Sequence, residues 1–112
     1  MGGPCEPQAA IGRLGGDLEL YRELVRSFLN DSAGLLPRLR AAISAGDADA
    51  LHKAAHGLKG VAATCGAVGV AEVAASLEAS AVDRNLSVIG ELNERLHAEL
   101  AGAANLLAVY YW

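Results

Sequence analysis

The sequence predicts an all-α fold: an antiparallel up-and-down four-helix bundle with an additional N-terminal helix. Three observations point there. Apolar residues make up 53% of the chain but aromatic ones only 4%, so alanine, leucine and valine must build the core, a composition suited to closely packed helices. Apolar residues recur at i, i+3, i+4 and i+7 in successive segments, and no segment shows the period-2 alternation of a half-buried strand. The breaks between segments are short, which makes consecutive helices antiparallel neighbours. With 112 residues, one domain is expected.

Residues 1–16 hold two of the three prolines and five glycines and read as a flexible lead-in to a domain spanning residues 17–109. A first helix is expected over Leu18 to Asn30, capped by Asp17, with Tyr21, Leu24, Val25 and Phe28 on its apolar face. The string "NDS" reads as a break. A second helix follows over Ser32 to Ala45, with Leu35, Leu36, Leu39, Ala42 and Ile43 inward; Pro37 predicts a bend or a late start. Gly46 is a C-terminal stop and Asp47 a cap for a third helix over Ala48 to Cys65, ended by Gly66. A fourth helix over Gly69 to Ala81 carries Val70, Val73, Ala74 and Leu77 on one face. After "VDRN", a fifth over Leu86 to Ala108 carries Ile89, Leu92, Leu96, Leu100, Ala103 and Leu107. Residues 110–112 form an aromatic tail. The bundle is expected from the second to fifth helices, with the first leaning against it.

Charge and composition exclude several function classes. The formal net charge of −4 argues against nucleic acid as a partner. No apolar run approaches the ~20 residues of a membrane span. The first residues, "MGGPCEPQ", lack a signal-peptide core and a myristoylation signal. Cys5 and Cys65 have no paired or metal-type spacing, so a reduced, cytoplasmic setting is expected. Cys65 falls on a core face. No Gly-rich phosphate loop is present, so the chain is expected to have no ATP-binding or autokinase activity of its own.

The third helix carries the chemistry. With 100° per residue, Leu51, Leu58, Val61, Ala62 and Cys65 fall within about 60° of the side opposite His56 and form the core face. His52, Lys53, Lys59, Gly60 and Ala63 surround His56 on the outer face. Gly57 and Gly60 each cost the helix roughly 1 kcal/mol relative to alanine. On the outer face that cost clears space beside an accessible imidazole; Gly57 lies nearer the boundary and tight helix packing is its competing explanation. Lys53 and Lys59 are the chain's two lysines, and no acidic residue occurs between Asp49 and Glu72, so a small cationic patch is expected around His56. A neutral imidazole is a good nucleophile near pH 7, and a lysine beside it could offset the charge of an acquired phosphoryl group.

The string Ala55, His56, Leu58, Lys59, Gly60 and Ala62, followed by Gly66 and Ala67, resembles the A-H-x-L-K-G-x-A…G-A signature of the histidine-containing phosphotransfer (HPt) domains of two-component phosphorelays. "GGDLELYRELVRSFL", "AGDADAL" and "SLEAS" resemble the flanking helices, and the likeness covers about residues 14–107. Gly57, Pro37 and the "VGV" at the start of the fourth helix depart from the common pattern without removing a group that transfer needs. The resemblance implies that His56 is the phosphoacceptor, that Lys59 supports the phosphorylated state, and that Gly60 gives a receiver domain access. His52, Lys53, Gly57 and Ala63 would then touch the partner. It further implies response-regulator receivers and a hybrid sensor histidine kinase as partners, Mg²⁺ supplied by the receiver's acidic pocket, and no cofactor held by this chain. A monomer is expected, since the bundle can close its own core.

Other readings compete. A receiver-docking module that passes no phosphate would share this surface, and the chain could be the excised histidine domain of a chemotaxis-type kinase. A metal site at His52 and His56, spaced i, i+4, has too few ligands. The Glu94–His97 pair resembles di-iron bundle spacing, but Glu94 points away from its helix's apolar stripe.

Overall fold

The computed structural model describes residues 5–110. Residues 1–4 of the expected lead-in and Tyr111 and Trp112 of the aromatic tail lie outside the described residues. Among the described residues five α-helices follow one another: α1 (Pro7–Arg13), α2 (Leu18–Ala45), α3 (Ala48–Thr64), α4 (Val68–Asp83) and α5 (Leu86–Leu107), closed by a 3₁₀ turn over Ala108–Tyr110. α2 packs on α3, α3 on α4 and α4 on α5. The links Gly46–Asp47, Cys65–Ala67 and Arg84–Asn85 are too short for anything but antiparallel neighbours.

The expected boundaries arise from the expected chemistry. The carboxylates of Asp17 and Asp47 accept from the backbone N–H groups of Leu20 and Ala50 at 3.0 and 3.1 Å, and Asn85 caps α5 through Val88 at 3.3 Å. Gly46 ends α2 in the left-handed region at φ 66°. The inward faces of α4 and α5 are buried as read from their periodicity, Leu100 alone remaining partly exposed.

Two expectations are corrected. There is no break at "NDS" and no late start at Pro37: one 28-residue helix runs from Leu18 to Ala45. Its length, about 1.5 Å per residue, matches the 41 Å long axis of the molecule. Ser32 is buried, so this stretch packs as helix rather than turning in solvent. Pro37 cannot donate to Ala33, but both residues are exposed and water can satisfy the freed carbonyl. The additional N-terminal helix is therefore not residues 18–30. It is α1, formed by residues 7–13 of the expected lead-in, with Pro7 in its first turn.

α1 is tied to the α3–α4 turn. The Glu6 N–H donates to the Gly66 carbonyl at 2.7 Å, Arg13 Nη2 donates to the Ala63 carbonyl at 3.3 Å, and Ala10 is buried. Gly66 has φ +80°, and a Cβ there would lie 2.6 Å from the Glu6 carbonyl oxygen, so glycine alone fits this junction. Beneath it the Tyr21 hydroxyl donates to the Cys65 carbonyl at 2.6 Å, and its ring meets Tyr110 edge-on at 5.1 Å. Burial pushes the Tyr21 hydroxyl pKa up and that of the Cys65 thiol to about 11, so both stay neutral inside this end of the core. Cys5, read as part of a loose segment, packs against the same core.

Candidate functional site

α3 is anchored by Leu51, Ala54, Ala55, Leu58 and Ala62, all buried, and Cys65 follows them into the core. The 3.6-residue period then turns His56 outward, and 65% of its side chain is exposed. His52, Lys53, Gly60 and Ala63 are exposed on the same strip; Lys59 and Gly57 are half-buried at its edges. Gly57 faces α2: a Cβ there would meet both Leu35 methyl groups at 3.8 Å, an ordinary contact. A Cβ on Gly60 would meet nothing within 4 Å. Neither glycine is required by packing within the molecule.

The structure adds a group that the sequence reading lacked. Glu78, on α4, reaches across to α3. Its Oε2 lies 2.7 Å from His56 Nδ1 and its Oε1 accepts from Lys59 Nζ at 2.6 Å. His52 Nε2 is 3.5 Å from the same Oε2, and the two imidazole planes are nearly parallel, with centroids 6.3 Å apart. Only 15% of the Glu78 side chain is exposed. The hydrogen bond from Lys59, then that from His56, holds the Glu78 pKa below its ordinary value, against the opposing effect of burial.

A carboxylate in that state only accepts. Nδ1 of His56 must therefore carry the hydrogen, and in the neutral ring the lone pair resides on Nε2. The expected bare cationic patch is corrected accordingly: Lys59 is held by an anion shared with His56, and Lys53 is the lysine of the two that makes no ion pair among the described residues. His52, His56 and Lys59 converge on Glu78. Lys53 and Gly57 lie on the α2 side. Gly60 and Ala63 are open to solvent.

Glu78 was legible in principle. If an antiparallel hairpin turns at Cys65–Ala67, ten residues before its midpoint lie level with ten after it. Position 56 is then opposite position 76, within one helical turn of Glu78. No periodicity within α3 itself carries that information. Glu94 and His97 are both exposed on α5.

Comparison with known proteins agrees with this geometry. The family model described as "Hpt domain" matches residues 23–106. The crystal structure of histidine-containing phosphotransfer protein B (HptB) from Pseudomonas aeruginosa PAO1 superposes with a TM-score of 0.86 and 30% sequence identity, covering 96% of this chain and 94% of that one. No curated protein sequence matches. The α3 helix, its outward histidine and the bundle that holds them thus sit within a chain that belongs to the histidine-containing phosphotransfer (Hpt) domain family.

Proposed function

We propose that this protein is a phosphorelay intermediate in which His56 accepts a phosphoryl group from a receiver-domain aspartate and passes it to the aspartate of another receiver. The observation that carries the reading is the bond from His56 Nδ1 to Glu78, made by a ring that is otherwise 65% exposed. The Nε2 lone pair attacks phosphorus, the bond to the aspartyl oxygen breaks, and the carboxylate leaves. The ring then bears positive charge, which the Nδ1–H···carboxylate bond offsets, as an aspartate does for the histidine of a hydrolase triad. That bond also fixes the tautomer and makes Nε2 a better electron donor. In the return step a second aspartate attacks the same phosphorus and the ring leaves with its electron pair.

Lys59 stands three residues along α3 from His56, on the same side as Glu78. It holds the carboxylate in its ionised form and, one helical turn from His56, would offset the charge of a phosphoryl group on the ring. Gly60 leaves the approach open. His52, Lys53, Gly57 and Ala63 form the surrounding contact surface. Mg²⁺ would belong to the receiver's acidic pocket, and this chain would hold no cofactor. A hybrid sensor kinase would load the first receiver. The relay would act in the cytoplasm as a monomer; no helix among the described residues is long and apolar enough to cross a membrane.

The test is incubation with a panel of ³²P-labelled receivers and Mg²⁺, beside a His56→Gln variant. Acid-labile, alkali-stable label on the wild type alone is the expected result. Equal labelling of both proteins would move the acceptor elsewhere. Binding to receivers without labelling would make the protein a docking module.

A further inference from the structure

The two ends of the bundle are packed differently. At the end that carries α1, the rings of Tyr21 and Tyr110 meet edge-on against the core. At the other end lie the links Gly46–Asp47 and Arg84–Asn85. There Ala42 and Ala81 take inward positions, and a hollow of about 220 Å³ opens between the links. Ile43, Leu51 and Ile89 complete its apolar wall, with the exposed Asp47 and Arg84 at its rim. Protein interiors leave few voids larger than a water molecule. An apolar wall without partner atoms forfeits dispersion contacts. A dry apolar cavity of about 150 Å³ takes up benzene, so the hollow has room for a body of about six to eight carbons.

Arg84 supplies a polar end to this hollow. It ends α4 in the left-handed region at φ 56°; among the described residues every other positive φ belongs to a glycine. A side chain makes that conformation costly, and an arginine kept in it points to a task for the side chain. Its guanidinium makes no ion pair or hydrogen bond among the described residues. The Asp47 carboxylate beside it is engaged in capping α3. Asp49 lines the adjoining hollow with His52 and Arg84. Two aspartates so close disfavour a multiply charged head such as phosphate and tolerate a single negative charge opposite Arg84.

We propose that this hollow binds a short aliphatic carboxylate, its hydrocarbon seated among Leu51, Ala81 and Ile89 and its carboxylate paired with Arg84. A guanidinium receives a carboxylate through two parallel N–H···O bonds, which also fixes the orientation of the chain behind it. An apolar wall with one placed charge is the usual make-up of a small-molecule site. His56 lies outside the hollow, so binding there is independent of the phosphotransfer reading.

The experiment titrates the ¹³C-methyl-labelled full chain with sodium octanoate, and separately with octan-1-ol as the uncharged probe, by ¹H–¹³C NMR. Octanoate should give saturable shifts at the methyls of Leu51, Ala81 and Ile89, and octanol should bind about tenfold more weakly, for want of a charge-assisted bond. Arg84→Gln should weaken octanoate by the same factor and leave octanol unchanged. Ala81→Leu should fill the hollow and abolish both. Circular dichroism checks the fold of each variant, and labelling by phosphoramidate, a small phosphoryl donor that requires no docking, checks the acceptor. Where Ala81→Leu does not fold, Arg84→Gln and the octanol comparison decide. No saturable shift up to about 10 mM octanoate would overturn the site. Shifts spread over the exposed Leu18, Leu106 and Val109 would do the same, as the mark of adsorption to surface apolar groups. Equal affinity for octanoate and octanol would overturn the pairing with Arg84.

Discussion

Replacing Gly60 by alanine should stabilise the free protein, because the glycine has no internal task. A Cβ at this position meets nothing within 4 Å, so no steric cost opposes the gain in helix propensity. That gain is about 1 kcal/mol in an exposed helix interior. Unfolding entropy is about 2.1 cal/mol/K per residue, so over 112 residues the change corresponds to a rise in Tm of ~4 °C. The assay is a pair of thermal melts followed by circular dichroism. A longer side chain separates stability from function. Gly60→Gln should still stabilise the helix, by roughly half as much, while slowing transfer from a phosphorylated receiver on the order of tenfold through obstruction of the approach to His56. Its labelling by phosphoramidate should be unchanged. A fall in Tm for the alanine variant would mean that Gly60 has a structural task in the bundle. A glutamine variant that takes phosphate from the receiver at the wild-type rate would refute the idea that the glycine keeps the approach clear.

Three further outcomes follow from the same geometry. Glu78→Ala should release the His56 tautomer: ¹⁵N NMR of the imidazole should lose the single Nδ1–H form, and receiver labelling should slow about 10- to 100-fold, the usual cost of deleting an orienting partner. Retention of that tautomer would show that Glu78 does not fix it. Because the Glu78 carboxyl is held below its ordinary value of 4.5, its contribution to stability is present above that pH and is lost as pH falls through the folded-state value. The Tm difference between wild type and Glu78→Gln should therefore be larger at pH 7 than at pH 3.5; a difference that did not change would refute the linkage. Ser32 has a buried hydroxyl with no hydrogen-bond partner among the described residues, so Ser32→Ala should stabilise the protein by about 1 kcal/mol in denaturant titration, and a loss of that size would reveal a hidden partner.

The helix boundaries set by Asp17, Gly46 and Asp47 were readable because capping and left-handed stops involve residues adjacent in sequence. The outward position of His56 was readable for the same reason, since one helix's apolar period fixes which side faces the core. The stretch at Asp31 and Ser32 misled because polar residues punctuate a chain only when nothing packs on them; here Ser32 is buried and α2 continues. α1 was hidden by the composition of a segment whose helix is held by the contacts of Arg13 with Ala63 and of Glu6 with Gly66, 50 and 60 positions away.

The sequence by itself determined an all-helical chain, the stripe on each helix that would be buried, and the helix on which an accessible histidine would stand. These are consequences of a 3.6-residue period acting on neighbours. Only the tertiary structure decided the electrostatics of that histidine. Glu78 is 22 positions from His56, yet the tight turn after α3 folds α4 back and brings its carboxylate to 2.7 Å from Nδ1. That contact turns an apparent cationic patch into a shared anion, assigns the ring proton, and leaves Lys53, which makes no ion pair among the described residues, on the α2 side. Coulomb energies depend on distance in space, and in a hairpin of helices that distance is set by the turn and the packing rather than by the order of residues.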